Sequence, residues 1–128
     1  LTPALAIKDK RPFLSFAVQG GDTQDQNLLQ FFLNMVEFEM NVQEAAEAAN
    51  VNSYQMYSSF GTHSKEAGRI VVRDDTPPWV IKDLRSKGYN VVTRRLTSGP
   101  INAIWFDHKN GTMWGGSSNF GEDYGIGW

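Results

Sequence analysis

The chain has no cysteine, so neither disulfides nor thiolate chemistry is open to it, although this leaves its compartment unsettled. It also lacks any run of 18 or more apolar residues, and no segment reads as a membrane-spanning helix. No leader pattern opens at Leu1, where the chain runs directly into Thr2-Pro3, so a signal peptide is not expected within it. Lys and Arg are scattered and the net charge is only −2, which leaves no basic patch and no expectation of nucleic acid as a partner. The two histidines, His63 and His108, lie far apart with no carboxylate at ligand spacing, and both read as surface residues rather than metal ligands. Internal repeats and low-complexity segments are absent too.

What remains is enough for one domain over residues 1–128. A hydrophobic content of 41%, with eight Phe, four Trp and four Tyr, can fill a core of that size.

Residues 3–7 and 12–19 read as two strands joined by the polar turn Lys8-Asp9-Lys10-Arg11. Phe13, Phe16 and Val18 supply strand-forming bulk, and Gly20-Gly21 stops the second strand. Asp22 or Thr23 then caps a helix, with Asp25 or Gln26 completing a capping box. In that helix Leu28, Leu29, Phe32, Leu33, Met35, Val36 and Met40 form a wide apolar face. Asn27, Gln30, Asn34 and Glu37 recur on the other side. Asn41-x-x-Glu44 is a second capping box, and the alanines that follow favour a short, closely packed helix.

Residues 51–68 are polar and read as a long irregular loop, of the kind that is functional or lies against another chain. Arg69–Arg73 is a short strand. Thr76 caps a helix with Pro77 at its first position, Trp79, Val80, Ile81 and Leu84 on its inward face, and Gly88 at its close. Residues 90–97 form another strand, broken by Ser98-Gly99-Pro100, and Ile101–Asp107 is an apolar strand. Asn110-Gly111 reads as a two-residue hairpin turn with positive φ, returning the chain through Thr112, Met113 and Trp114. The glycine-rich tail 115–128 carries Phe120, Tyr124 and Trp128, expected to bury against the sheet. About six strands and three helices, segregated rather than alternating, make an α+β fold with a mainly antiparallel sheet and covering helices.

The stretch of greatest chemical interest is Gly20-Gly21. Two glycines between a strand end and a helix start place bare backbone N–H groups beside the positive end of a helix dipole. Such a place suits the oxyanion of acyl transfer. A plain tight turn is the competing reading. Elsewhere, Ser58-Ser59 and Ser117-Ser118 lack a partnered histidine and read as loop residues, while Glu122-Asp123 reads as a solvated acidic turn. Arg94-Arg95 alternate across a strand.

Taken in order, the opening LTPALAIKDKRPFLSFAVQGG, the capped LLQ-type apolar helix, the EAAEA helix and the closing NGTMWGG resemble the small subunit of the γ-glutamyltransferase (γ-glutamyltranspeptidase) family, which belongs to the N-terminal-nucleophile (Ntn) hydrolases. The resemblance covers essentially the whole chain, as the C-terminal part of that subunit. It implies one half of an αββα sandwich, a mainly antiparallel sheet that would face a second sheet from the rest of the precursor. It implies a γ-glutamyltransferase or glutathione hydrolase working through an acyl-enzyme on an N-terminal threonine, with the threonine's own α-amine as base. That threonine and the paired serines that help hold the substrate's α-carboxylate would lie upstream, since Leu1-Thr2-Pro3 resembles the stretch just after those serines. The chain alone is therefore expected to be inactive.

Gly20 and Gly21 match the family's oxyanion-hole glycines. No metal or organic cofactor is implied. The implied partners are the remainder of the same precursor and a small γ-glutamyl or other amide substrate. Self-association of the exposed sheet and a periplasmic or extracellular location are further expectations. Three departures bear on specificity. Gln19 stands where the family has proline, Ala49-Asn50-Val51-Asn52-Ser53-Tyr54 replaces Ala-Pro-Arg followed by an aromatic and His, and Ser118-Asn119-Phe120-Gly121 replaces an Asp-Pro-Arg run. A related amidase of the cephalosporin-acylase kind, or a non-catalytic α+β binding or assembly module, are the alternatives.

Overall fold

The computed structural model describes residues 2–97 and 99–120. In chain order the elements are β1 (Ala4–Lys8), β2 (Arg11–Val18), a 3₁₀ turn (Gly21–Thr23), α1 (Gln24–Val36) and α2 (Val42–Glu47). There follow β3 (Val51–Ser53), β4 (Arg69–Arg73), α3 (Pro78–Ser86), β5 (Asn90–Arg94), β6 (Ile101–Asp107) and β7 (Thr112–Ser117). Contacts divide the chain into two compact units, residues 1–48 with 98–128 and residues 49–97, a finer division than the single domain read from length.

The first unit is an antiparallel sheet in the order β1-β2-β6-β7, covered on one face by α1 and α2. Strand alternation sorts the side chains. Phe16 pairs with Ala4 and Ala103, so these point to the helices with Leu14, Val18 and Ile101. Their neighbours Leu5, Ser15 and Ile104 point to the other face, where no described element of this unit packs. Phe16 meets Phe31 and Phe32 of α1, with ring centroids 5.6 and 6.0 Å apart.

The inward stripe of α1 is Asn27, Leu28 and Phe31, with Phe32 and Met35 at its edge. That departs from the face read off the sequence, because Leu29 is 59% exposed and Asn27 is buried. The helix turns about 100° per residue, so a stripe centred on Asn27, Leu28, Phe31 and Phe32 leaves Leu29, about 200° round from Asn27, on the outer side. No capping box starts α1 either: Thr23 is already helical and its hydroxyl bonds backward instead. The box at α2 is present. Asn41 Oδ1 accepts from Gln43 and Glu44 N–H, and Glu44 Oε2 accepts from Asn41 N–H at 2.9 Å.

The two hairpin turns exchange the geometries expected of them. Asp9 and Lys10 take φ of 52° and 61° between the paired residues Lys8 and Arg11, a two-residue turn of the primed type. At Asn110-Gly111 only Gly111 has positive φ, and the pairing of Asp107 with Thr112 leaves a four-residue connection. There the Asp107 carboxylate accepts from Lys109 N–H at 3.1 Å, Asn110 N–H at 3.2 Å and Asn110 Nδ2 at 2.7 Å. An acceptor that gathers three N–H groups favours the wider turn.

The second unit is a three-stranded sheet in the order β3-β4-β5, with β3 antiparallel and β5 parallel to β4. Strand β3 lies within the stretch read as loop. A parallel pair needs a crossover, and α3 supplies it, so strand and helix alternate here rather than segregate. Helix α3 starts at Pro78, with Pro77 as its N-cap. Ile81 and Leu84 pack on Ile70, Val72 and Val91, while Trp79 is 72% exposed instead of facing inward. Beyond β3 the hairpin with β4 continues irregularly, Tyr54 N–H donating to Arg69 O and Glu66 N–H to Tyr54 O, both at 3.0 Å. Among the described residues no helix is long and apolar enough to cross a membrane.

Candidate active site

Strand β2 ends at Val18 and the chain turns into α1 through Gln19, Gly20, Gly21 and the 3₁₀ turn. Gly20 has φ of 150° and Gly21 of 58°, conformations that a side chain rarely allows. A Cβ on Gly20 would also stand 3.0 Å from Thr23 Oγ1. The Gly20 carbonyl is engaged, accepting from the Thr23 hydroxyl at 2.9 Å and from Thr23 N–H at 3.3 Å. Its amide is not. Neither the Gly20 nor the Gly21 N–H meets an acceptor among the described residues, and both glycines are exposed.

Electrostatically the turn is mixed. It precedes the positive end of a 13-residue helix, but Asp22 and Asp25 occupy the first turns of the 3₁₀ and α-helical segments. Directed N–H donors, rather than net positive charge, are therefore what this place offers an anion. Thr2 lies beside the same helix start, its hydroxyl donating to Gln24 Oε1.

A second backbone segment braces the turn, and sequence reading treated it only as the end of a strand. Gln19 N–H donates to Pro100 O at 3.2 Å. Gly99 lies directly against the Gln19–Gly20 peptide. The Gly-Pro pair was the visible signal, but its contact with residues some 80 positions earlier was not.

The other sequence candidates lie elsewhere. His63 and His108 are exposed and bond to the carbonyls of Ser58 and Pro12 at 2.8 and 2.6 Å. Ser117 is not a loop residue, whereas Ser118 lies just past the strand end. Ser117 ends β7, accepting Gln43 Nε2–H on its carbonyl at 2.8 Å, and buried Ser118 Oγ accepts from Ile101 N–H at 3.0 Å. Arg94 ends β5 and both it and Arg95 are exposed. Glu122, Asp123, Tyr124 and Trp128 lie outside the described residues. The Arg73 guanidinium holds the Asp75 carboxyl below its ordinary range, and the Asn110 side chain does the same to Asp107; Asp75 lies in a turn and Asp107 ends β6. Among the described residues no cluster of three His, Asp or Glu is arranged to hold a metal.

The helix-free face of the first sheet carries an open cleft of about 940 Å³, lined by Ser15, Ala17, Asn102, Ile104, Met113 and Ser117 among others. Ile104 and Met113 are substantially exposed there.

Comparison with known proteins places this arrangement. The family description Gamma-glutamyltranspeptidase matches residues 1–128. The chain is 30% identical to the glutathione hydrolase proenzyme of Bacillus subtilis (strain 168), over 98% of this chain and 20% of that protein. It is 27% identical to the acylase ACY 1 proenzyme of Pseudomonas sp. (strain V22), over 90% of this chain and 18% of that protein. It thus spans about a fifth of the length of the curated relatives it matches. The solved structure of an acivicin-inhibited γ-glutamyltranspeptidase has the same α+β fold, with a TM-score of 0.77 at 22% identity, over 95% of this chain and 61% of that one. On the match along its whole length, the chain belongs to the γ-glutamyltranspeptidase family of Ntn hydrolases.

Proposed function

We propose that this chain is the C-terminal part of the small subunit of an enzyme that transfers or hydrolyses γ-glutamyl groups, and that Gly20 and Gly21 form its oxyanion hole. The observation that carries the reading is the pair of N–H groups at the start of α1 that no described acceptor occupies. The chain covers 20% of a precursor but 61% of a solved transpeptidase chain, which supports its placement in the shorter of two processed chains. The helix-free face of the first sheet would receive the second sheet of the αββα sandwich from the rest of the precursor. The isolated chain would then expose that face and self-associate. The family resemblance favours a periplasmic or extracellular location.

In this reading the upstream threonine hydroxyl gives its proton to the threonine's own α-amine and attacks the γ-carbonyl carbon. The carbonyl electron pair moves to oxygen, and the two glycine N–H groups hold the resulting oxyanion. Collapse of that intermediate expels the amine leaving group, which takes the proton, and leaves an ester on threonine. Water or an acceptor amine then attacks the ester and frees the threonine. The 128 residues alone carry no such nucleophile and should not turn over γ-glutamyl-p-nitroanilide.

The test is Gly21→Pro in the complete enzyme, which deletes one donor outright. Loss of one oxyanion donor typically lowers kcat by about 10²–10³. KM should change little, because the donor grips the transition state more than the substrate. Gly20→Ala, which keeps its N–H but penalises the positive φ, is the gentler companion. Wild-type kcat in both variants, each matured into two subunits, would show the glycine pair to be an ordinary turn.

A second reading, an amidase acting on another acyl group, is favoured by the match to an acylase and by Gln19 and Asn50 standing where the γ-glutamyl family has proline. It shares the glycine pair and differs in the acyl pocket. Side-by-side turnover of γ-glutamyl and acyl-cephalosporin amides by the complete enzyme separates the two.

A further inference from the structure

We infer that Gly99 is a positioning residue of the oxyanion hole, a role that rests on the reading of Gly20 and Gly21 given above. A Cβ added at Gly99 would lie 1.5 Å from the Gln19 carbonyl oxygen, 2.6 Å from its carbonyl carbon and 3.4 Å from Gly20 N. These atoms make up the peptide group whose N–H is one of the two proposed donors. The contact is reciprocal, since a Cβ on Gly20 would stand 3.8 Å from Gly99 N and 3.9 Å from Gly99 Cα. Backbone thus lies on backbone, in van der Waals contact from the Gly20 side and with no room for a Cβ at Gly99.

The next residue fixes the other end of Gln19. Pro100 O accepts the Gln19 N–H at 3.2 Å, so one short segment grips Gln19 at its amide and bears on its carbonyl. Proline sets its own φ, which stiffens the backbone immediately after Gly99. Any residue larger than glycine must push the Gln19–Gly20 peptide, and the peptide plane is rigid, so its N–H moves with its carbonyl. Relieving a 1.5 Å contact requires the two backbones to part by more than an ångström, and a donor displaced that far stabilises the oxyanion less.

The experiment uses the complete, matured enzyme and γ-glutamyl-p-nitroanilide. Gly99→Ala is expected to lower kcat by about tenfold or more, with KM within about threefold. A merely structural role would not produce that split at temperatures where the variant remains folded. In the double variant with Gly21→Pro the two losses should combine to less than their product, because both act on one oxyanion. Pro100→Ala, which loosens the segment without crowding it, should lower kcat by about threefold and decides the matter if Gly99→Ala does not mature. Wild-type kcat in Gly99→Ala, or in Pro100→Ala where Gly99→Ala cannot be matured, would overturn the proposal, as would fully multiplicative losses in the double variant. If Gly21→Pro alone keeps wild-type kcat, the oxyanion reading itself fails; if it loses kcat and Gly99→Ala does not, only the role of Gly99 fails.

Discussion

Gly116 of β7 lies against the backbone of Val42 at the start of α2, so closely that a Cβ there would stand 2.7 Å from the Val42 carbonyl oxygen. On the same contact line Gln43 Nε2 donates to Ser117 O at 2.8 Å and Gln43 Oε1 accepts from Ser117 N–H at 3.1 Å. Helix α2 is therefore seated on a strand edge by a glycine and held in register by one glutamine.

Gly116→Ala should accordingly destabilise the intact protein by about 1–3 kcal/mol, the usual cost of forcing an extra group into a packed site. Urea unfolding followed by circular dichroism measures it. An unchanged midpoint would mean that α2 slides aside without cost.

The turn at Asp9 and Lys10 holds two non-glycine residues at positive φ. Lys10→Gly relieves one of them and creates the Asp-Gly pair that such turns favour. The left-handed penalty removed is about 1–2 kcal/mol, and the added unfolded-state freedom takes back about 0.4–1 kcal/mol. The expected outcome is a net gain of roughly 0.5–1 kcal/mol in the unfolding free energy. A lower midpoint than wild type would refute the turn geometry.

Asp107 makes stability depend on acid. Hydrogen bonds, first from the Asn110 side chain and then from the Asn110 and Lys109 amides, hold its carboxyl below the ordinary aspartate value. A group depressed on folding contributes fully above its unfolded pKa of about 3.9, and the contribution fades as pH falls through the lower folded value. Asp107→Asn should be less stable than wild type at pH 7, and the gap should narrow below about pH 4. Urea midpoints of both proteins at pH 7 and pH 3 give the comparison; a gap that is the same at both pH values would contradict it.

What the sequence determined by itself is local. The Asn41–Glu44 capping box forms as written because both partners lie within one helical turn. Strand β2 forms with Leu14, Phe16 and Val18 on the buried face because alternation is a property of the extended chain, whatever packs on it. The glycine pair lies between strand and helix, as its flanking patterns require. The family match likewise follows from the order of these local features.

Only the tertiary structure decided the rest. Leu29 faces outward because a helix against one sheet buries one stripe, and which stripe depends on where the sheet lies. The pairing of β4 with β5 is parallel because α3 crosses back over the sheet, a fact about three elements together. The Asp9-Lys10 turn is primed because strand twist demands it, although Lys10 has no preference for positive φ. Gly20 and Gly21 are visible in sequence as a place where N–H groups are bare. Gly99, about 80 residues away, becomes part of that place only when the folded sheet lays its backbone on the Gln19 carbonyl.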